Sequence, residues 1–213
     1  MIYDNILNGK PPVVSKEKQK ILTYSQNKFF SEGFYKISMD EIAKELGMSK
    51  STLYKNFPSK VDLVRESVQD LVAGVKSKIQ NTILDNSNAV EKFVSVIKIL
   101  TITITKFTDK WMSDLQHHAP QIWQEIDETR KKLMYVNISK IIKQGQEEGL
   151  ILDYPPEIII TIITGAMRAI VNPQFLIATR FSYDDAVHYA FTILLNGIFT
   201  DNGKRIFEKI KLQ

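Results

Sequence analysis

A chain of 213 residues with an apolar fraction of 44% can bury a core without covalent staples. It contains no cysteine, which excludes disulfides, thiolate nucleophiles and zinc fingers and fits a reducing cytoplasm. The net charge of +4 is small but uneven: of 28 Lys plus Arg and 24 Asp plus Glu, ten and six fall in residues 1–60, leaving 18 of each sign for the remainder, so the excess positive charge lies where a phosphate-binding surface would use it.

Residues 1–14 hold no basic segment followed by a long apolar run, so they read as a short arm rather than a secretory leader. A first helix is expected from about Ser15 to Glu32, with Ile21, Leu22, Ser25 and Phe29 facing inward and Gly33 ending it. The stretch from Ser38 to Lys60, SMDEIAKELGMSKSTLYKNFPSK, then meets the separate demands of a helix-turn-helix. Ser38 with Glu41 reads as a capping box. Ile42, Ala43 and Leu46 give the helix one apolar face, and Ala43 is small enough for a second helix to cross it closely. Gly47 can turn the chain at positive φ without a steric penalty. Ser49 can cap the next helix, in which Leu53 points inward and Lys50, Ser51, Thr52, Tyr54, Lys55 and Asn56 form a polar face suited to the major groove. Pro58 disfavours a helical Phe57, so that helix ends near Asn56. Ser59 and Asp62 start another.

From Val61 to about Leu84, Leu63, Val64, Val68, Leu71, Val72, Val75, Ile79 and Ile83 predict a long helix linking the basic region to the rest. Ser87 or Asn88 caps the next, containing Phe93, Val96, Ile97, Leu100 and Ile104. Its β-branched residues also permit a strand, but no partner strand with hairpin signals follows, so helix is preferred. Pro120 suits a first helical turn, and the apolar pattern from Ile122 continues to Gly149. Two further helices start near Pro156 and Ser182, the second ending around DNG with Gly203 as its stop. The most apolar segment, IIITIITGAMRAIV, is shorter than a bilayer span and carries Arg168, which favours a buried helix and no membrane association.

Over the first 63 residues the sequence ILTYSQNKFFSEGFYKISMDEIAKELGMSKSTLYKNFPSKVDL resembles the N-terminal signature of the tetracycline-repressor (TetR) family nearly in register, including the Gly33–Phe34 pair, the LGMSKSTLY turn and recognition helix, and the NFPSK exit. It departs in the first helix, where Tyr24, Ser25 and Lys28 stand for two alanines and a leucine and Phe30 replaces a small residue. HAPQIWQEIDETR, VNPQFL and ILLNGIFTDNGK resemble the family more loosely. The resemblance implies an all-α protein: a three-helix helix-turn-helix DNA-binding domain over residues 1–60, arm 1–14 included, followed by a helical-bundle ligand-binding and dimerisation domain over residues 61–213. It implies a transcription regulator, not an enzyme, working without a cofactor in the cytoplasm.

Carried over position by position, the family's DNA contacts fall on Ser38, Lys50, Ser51, Thr52, Tyr54, Asn56 and Lys60. Lys50, Ser51, Thr52 and Asn56 could reach base edges. Tyr54, Ser38 and Lys60 are better phosphate partners, with Tyr54 alternatively packing beside Phe57 and Lys55 ambiguous. A single helix-turn-helix reads few bases, so a homodimer on double-stranded DNA with a palindromic operator is expected. Small residues at Gly165, Ala169, Ala186, Ala190 and Gly197 mark the last two expected helices as its seam. An unknown small-molecule effector would meet Trp111, Trp123, Tyr135, Arg168 and Phe175, although most such aromatics are core residues. His117 and His118 are adjacent and cannot converge on one metal, so no metal site is expected. The expected action is that of a repressor released from DNA by its ligand. The alternatives are a TetR-like nucleoid- or protein-binding factor without an inducer and a helical enzyme, the latter disfavoured by the lack of any catalytic motif.

Overall fold

The computed structural model describes residues 15–104, 106–170, 175 and 178–211. Helices follow one another: α1 (Lys16–Glu32), α2 (Met39–Glu45), α3 (Lys50–Asn56), α4 (Lys60–Leu84), α5 (Ala89–Ile104), α6 (Asp109–His118), α7 (Pro120–Glu147), α8 (Pro156–Ile170), α9 (Tyr183–Ile198) and α10 (Asp201–Lys211). The only strand-like pairing among the described residues is an isolated bridge between Ile151 and Phe199. The fold class is therefore all-α. No helix among the described residues is long and apolar enough to cross a membrane.

The expected boundaries hold where a cap marks them. Ser15 accepts from the Lys18 amide at 3.1 Å to start α1, and Gly33, at φ 76°, ends it by donating to Phe29 O. The β-branched run is helical. Asn88 Oδ1 accepts from Glu91 N at 3.1 Å, while Glu91 Oε2 accepts from Asn88 N at 3.2 Å, a reciprocal cap that starts a helix rather than a strand.

Two features differ from the sequence expectation. Residues 109–118 form α6, capped by Thr108 Oγ1 at Trp111 N. Gly203 does not stop α9, which ends at Ile198; it lies within α10. A β-carbon at Gly203 would lie 2.2 Å from Leu150 O and 3.1 Å from Phe199 Cβ. The glycine is thus required for close backbone approach rather than for a turn.

The chain divides into two compact units, Met1–Lys76 with Thr105–Asp127 and Ser77–Ile104 with Glu128–Gln213. In the first, α1 packs on α6 and α2 on α3. Its core joins Ile21, Phe29, Phe30, Phe34, Ile42, Leu53, Phe57, Leu63 and Trp111. Trp111 stacks against Phe29 at 6.5 Å and meets Phe30 edge-on at 4.8 Å and Phe34 at 5.5 Å. In the second, α8 packs on α9 and α5 on α10, with Phe93 and Phe199 in edge contact at 6.3 Å.

The unusual residues of α1 have partners. Lys28 reaches Glu41 at 2.8 Å and Glu45 at 2.6 Å, and Tyr24 donates its hydroxyl to Glu45. Bonds from Glu41 and then Glu45 hold the Lys28 pKa above the ordinary lysine value, whereas burial and then the Glu45 bond raise that of Tyr24. A polar staple therefore joins α1 to α2. Ser25 differs: its hydroxyl and that of Ser67 are buried without a hydrogen-bond partner. An unpaired buried hydroxyl costs about 1–3 kcal/mol, so Ser25→Ala should stabilise the protein by about 1 kcal/mol in urea denaturation. A loss of stability instead would show that the hydroxyl is satisfied in solution.

Candidate DNA-binding site

The helix-turn-helix forms by the local rules visible in its sequence. Ser38, the N-cap of α2, accepts from Glu41 N at 3.1 Å. Gly47 adopts φ 65° between the helices. Ser49 caps α3, accepting from Thr52 N at 3.0 Å, and its hydroxyl lies 2.9 Å from that of Thr52. Leu53 is fully buried and fixes the rotation of α3. Lys50, Ser51, Tyr54 and Lys55 are consequently exposed, with Thr52 and Asn56 half-buried.

The end residues of this face are held from outside α3. Lys50 Nζ is 2.5 Å from Asp40 Oδ2, and Asn56 Nδ2 donates to Glu17 Oε1 at 2.8 Å and Thr52 O at 2.9 Å. Hydrogen bonding to Asp40 raises the Lys50 pKa. At the base of α4, Lys60 Nζ donates to Tyr35 O at 2.8 Å, Ile37 O at 3.0 Å and Phe34 O at 3.2 Å. Its three protons thus already bind the turn before Ser38. Burial lowers the Lys60 pKa, with the Asp114 charge acting in the opposite sense.

Asp114 clamps the other side of that turn. Its Oδ2 accepts from Phe34 N at 2.7 Å and Tyr35 N at 2.8 Å. A β-carbon on Gly33 would lie 2.5 Å from this oxygen, so the glycine after α1 also makes room for the clamp. One turn along α6, His118 stacks on Tyr35 at 3.7 Å between ring centroids, and the adjacent His117 hydrogen-bonds Ser113 O at 2.8 Å. Sequence reasoning missed Asp114. The signal available was a lone acid on the inward side of an unassigned helix, with nothing local to mark its partners.

The five effector-site candidates are divided between the two units. Trp111 is sealed in the aromatic core of the first unit, and Trp123 packs partly buried against the same core. Tyr135 and Phe175, in the second unit, are exposed, Tyr135 lying 3.5 Å from Glu157. Arg168 is on α8, with its side chain outside the described residues.

A capped, Gly-linked helix pair with a polar, exposed second helix defines a DNA-binding module. Residues 22–67 match the model of the tetR family of bacterial regulatory proteins. The HTH-type transcriptional regulator YvaF of Bacillus subtilis is 22% identical, over 78% of this chain and 88% of its own. The nucleoid occlusion factor SlmA of Pasteurella multocida is 21% identical over 80% of this chain and 90% of its own. A transcriptional regulator from Saccharomonospora viridis, solved in complex with choline, shares the fold with a TM-score of 0.71 at 20% identity, covering 88% of this chain and 100% of that one. Residues 22–67 are thus a helix-turn-helix DNA-binding domain of the TetR family, and the chain shares its fold with solved transcriptional regulators.

Proposed function

We propose that the protein is a cytoplasmic, homodimeric repressor that occupies a palindromic operator and leaves it when a small molecule binds. The exposed polar face of α3, with Leu53 locked beneath it, carries this reading. Lys50, Ser51, Thr52 and Asn56 face base edges, Ser38 and Tyr54 face phosphates, and Lys55 serves either. Lys60 joins the phosphate contacts only by exchanging a backbone carbonyl for a phosphate oxygen. Residues 1–60 read DNA, and residues 61–213 supply dimerisation and effector response, with α6 built into the first compact unit. Tyr135, Arg168 and Phe175 are the assigned effector residues. The choline complex of the structural relative supports a small-molecule effector.

Dimerisation is assigned to α8 and α9. Ile158, Ile162, Gly165 and Ala169 on α8, and Tyr189, Ile193, Asn196 and Gly197 on α9, are exposed at helical spacing. A side chain at Gly165 or Gly197 would meet nothing within 4 Å. Such an apolar stripe favours a partner. Ala186 and Ala190, expected on the seam, are buried within the subunit.

Selection of bound sequences from a random duplex pool tests the reading. An inverted repeat is expected, with half-sites about one helical turn or a multiple apart. Ile193→Glu should sediment as a monomer and lose the repeat. A monomeric wild type that selects a single unrepeated site would overturn it. The likeness to SlmA favours a second reading, a nucleoid- or protein-binding factor without an inducer. Retention on operator DNA throughout a metabolite screen, with capture of a protein partner, would decide for that one.

A further inference from the structure

The two ends of the recognition face are each held by a carboxylate from a supporting helix. Asp40 of α2 holds Lys50 at 2.5 Å, and Glu17 of α1 holds Asn56 at 2.8 Å. We propose that Asp40 and Glu17 are specificity-determining residues, which set what Lys50 and Asn56 offer to the bases without being base readers themselves. This rests on the proposed recognition face of α3.

The Asn56 amide has two N–H donors. One is spent on Glu17 Oε1 and the other on Thr52 O at 2.9 Å. A backbone carbonyl and an ionised carboxylate can only accept, so the amide orientation is fixed by its surroundings. Asn56 is left with its carbonyl oxygen for DNA. The bidentate pairing of asparagine with adenine needs a free N–H. Held by Glu17, Asn56 instead accepts from a base amino group, adenine N6 or cytosine N4.

Lys50 is constrained differently. One of its three protons is spent on Asp40, leaving two, enough for guanine O6 and N7. The neighbouring carboxylate offsets the ammonium charge, which weakens its attraction to any phosphate regardless of sequence. Asp40 thereby suppresses non-specific binding more than guanine reading. The raised Lys50 pKa is consistent with this pairing. Both acids are exposed and sit on helices whose packing fixes them, so their removal leaves the core untouched.

Selection from a random duplex pool should be run on wild type, Glu17→Ala, Asp40→Ala, Lys50→Ala and Asn56→Ala, with titrations on the selected and a scrambled duplex across salt. Glu17→Ala should shift preference at the Asn56 position towards adenine. Asp40→Ala should keep guanine but bind the scrambled duplex about fivefold more tightly, a change appropriate to one exposed charge pair. Its salt slope should steepen by about one unit. If the Lys50 and Asn56 variants change the consensus while both acid variants keep the wild-type consensus and discrimination, the carboxylates are bystanders and only this inference is overturned. If all four variants keep the wild-type consensus, the recognition face itself is wrong and the inference falls with it.

Discussion

Asp114→Ala should lower the stability of the first unit by about 3–5 kcal/mol, the range for removing one partner of a buried, hydrogen-bonded charge. The single oxygen Oδ2 satisfies two amides, Phe34 N at 2.7 Å and Tyr35 N at 2.8 Å. Alanine would leave both without an acceptor in a site where Asp114 is only 7% exposed, and would remove the charge opposite Lys60. Asp114→Asn keeps one carbonyl acceptor and should lose about half as much, since bonds to charged groups are worth roughly twice neutral ones. Both tryptophans, Trp111 and Trp123, lie in this unit, so fluorescence in a urea titration reads it selectively. A loss below about 1 kcal/mol would mean the carboxylate is only a surface-grade contact.

In the second unit, Gly203→Ala should destabilise by about 2–3 kcal/mol, the upper part of the usual overpacking range. Helix propensity alone argues the opposite way, favouring alanine by about 1 kcal/mol within α10. Contact decides the sign: the new β-carbon would lie 2.2 Å from a backbone oxygen, that of Leu150, which cannot rotate aside. Gly74→Ala is the matched control, since nothing lies within 4 Å of its added carbon; it should gain about 0.5–1 kcal/mol. Calorimetric melts of the two variants should therefore move in opposite directions. Parallel gains would show that α10 can move away from the Leu150 backbone at no cost.

The helix-turn-helix was legible because its signals are local. Ser38, Gly47, Ser49 and Leu53 each act within a few residues, and the structure uses each as its chemistry suggests. Long-range pairings were not legible. Nothing near residue 114 indicates that its carboxylate serves residues 34 and 35, and nothing near Lys60 says that its ammonium is already shared among three carbonyls. Gly203 was misjudged because DNG has turn chemistry, while the reason for the glycine is a neighbour fifty-three residues away. Periodicity located α8 and α9 but could not divide their small residues: Ala186 and Ala190 face their own subunit, whereas Gly165 and Gly197 face out. Trp111 reads in sequence like a pocket aromatic, yet it completes a core begun by Phe29, Phe30 and Phe34.

The clamp at the turn before α2 also bears on the order in which the chain is made. Phe34 and Asp114 are 80 residues apart, and synthesis at about 5–20 residues per second separates their appearance by roughly 4–16 s. During that interval the nascent helix-turn-helix has its caps and its turn but lacks Trp111 and both acceptor bonds from α6. A fragment ending at Lys76 would remain in that unfinished condition permanently. The smallest piece able to reproduce the finished DNA-binding unit therefore extends past His118, and a shorter truncation would carry the reading residues without the part that holds them in place.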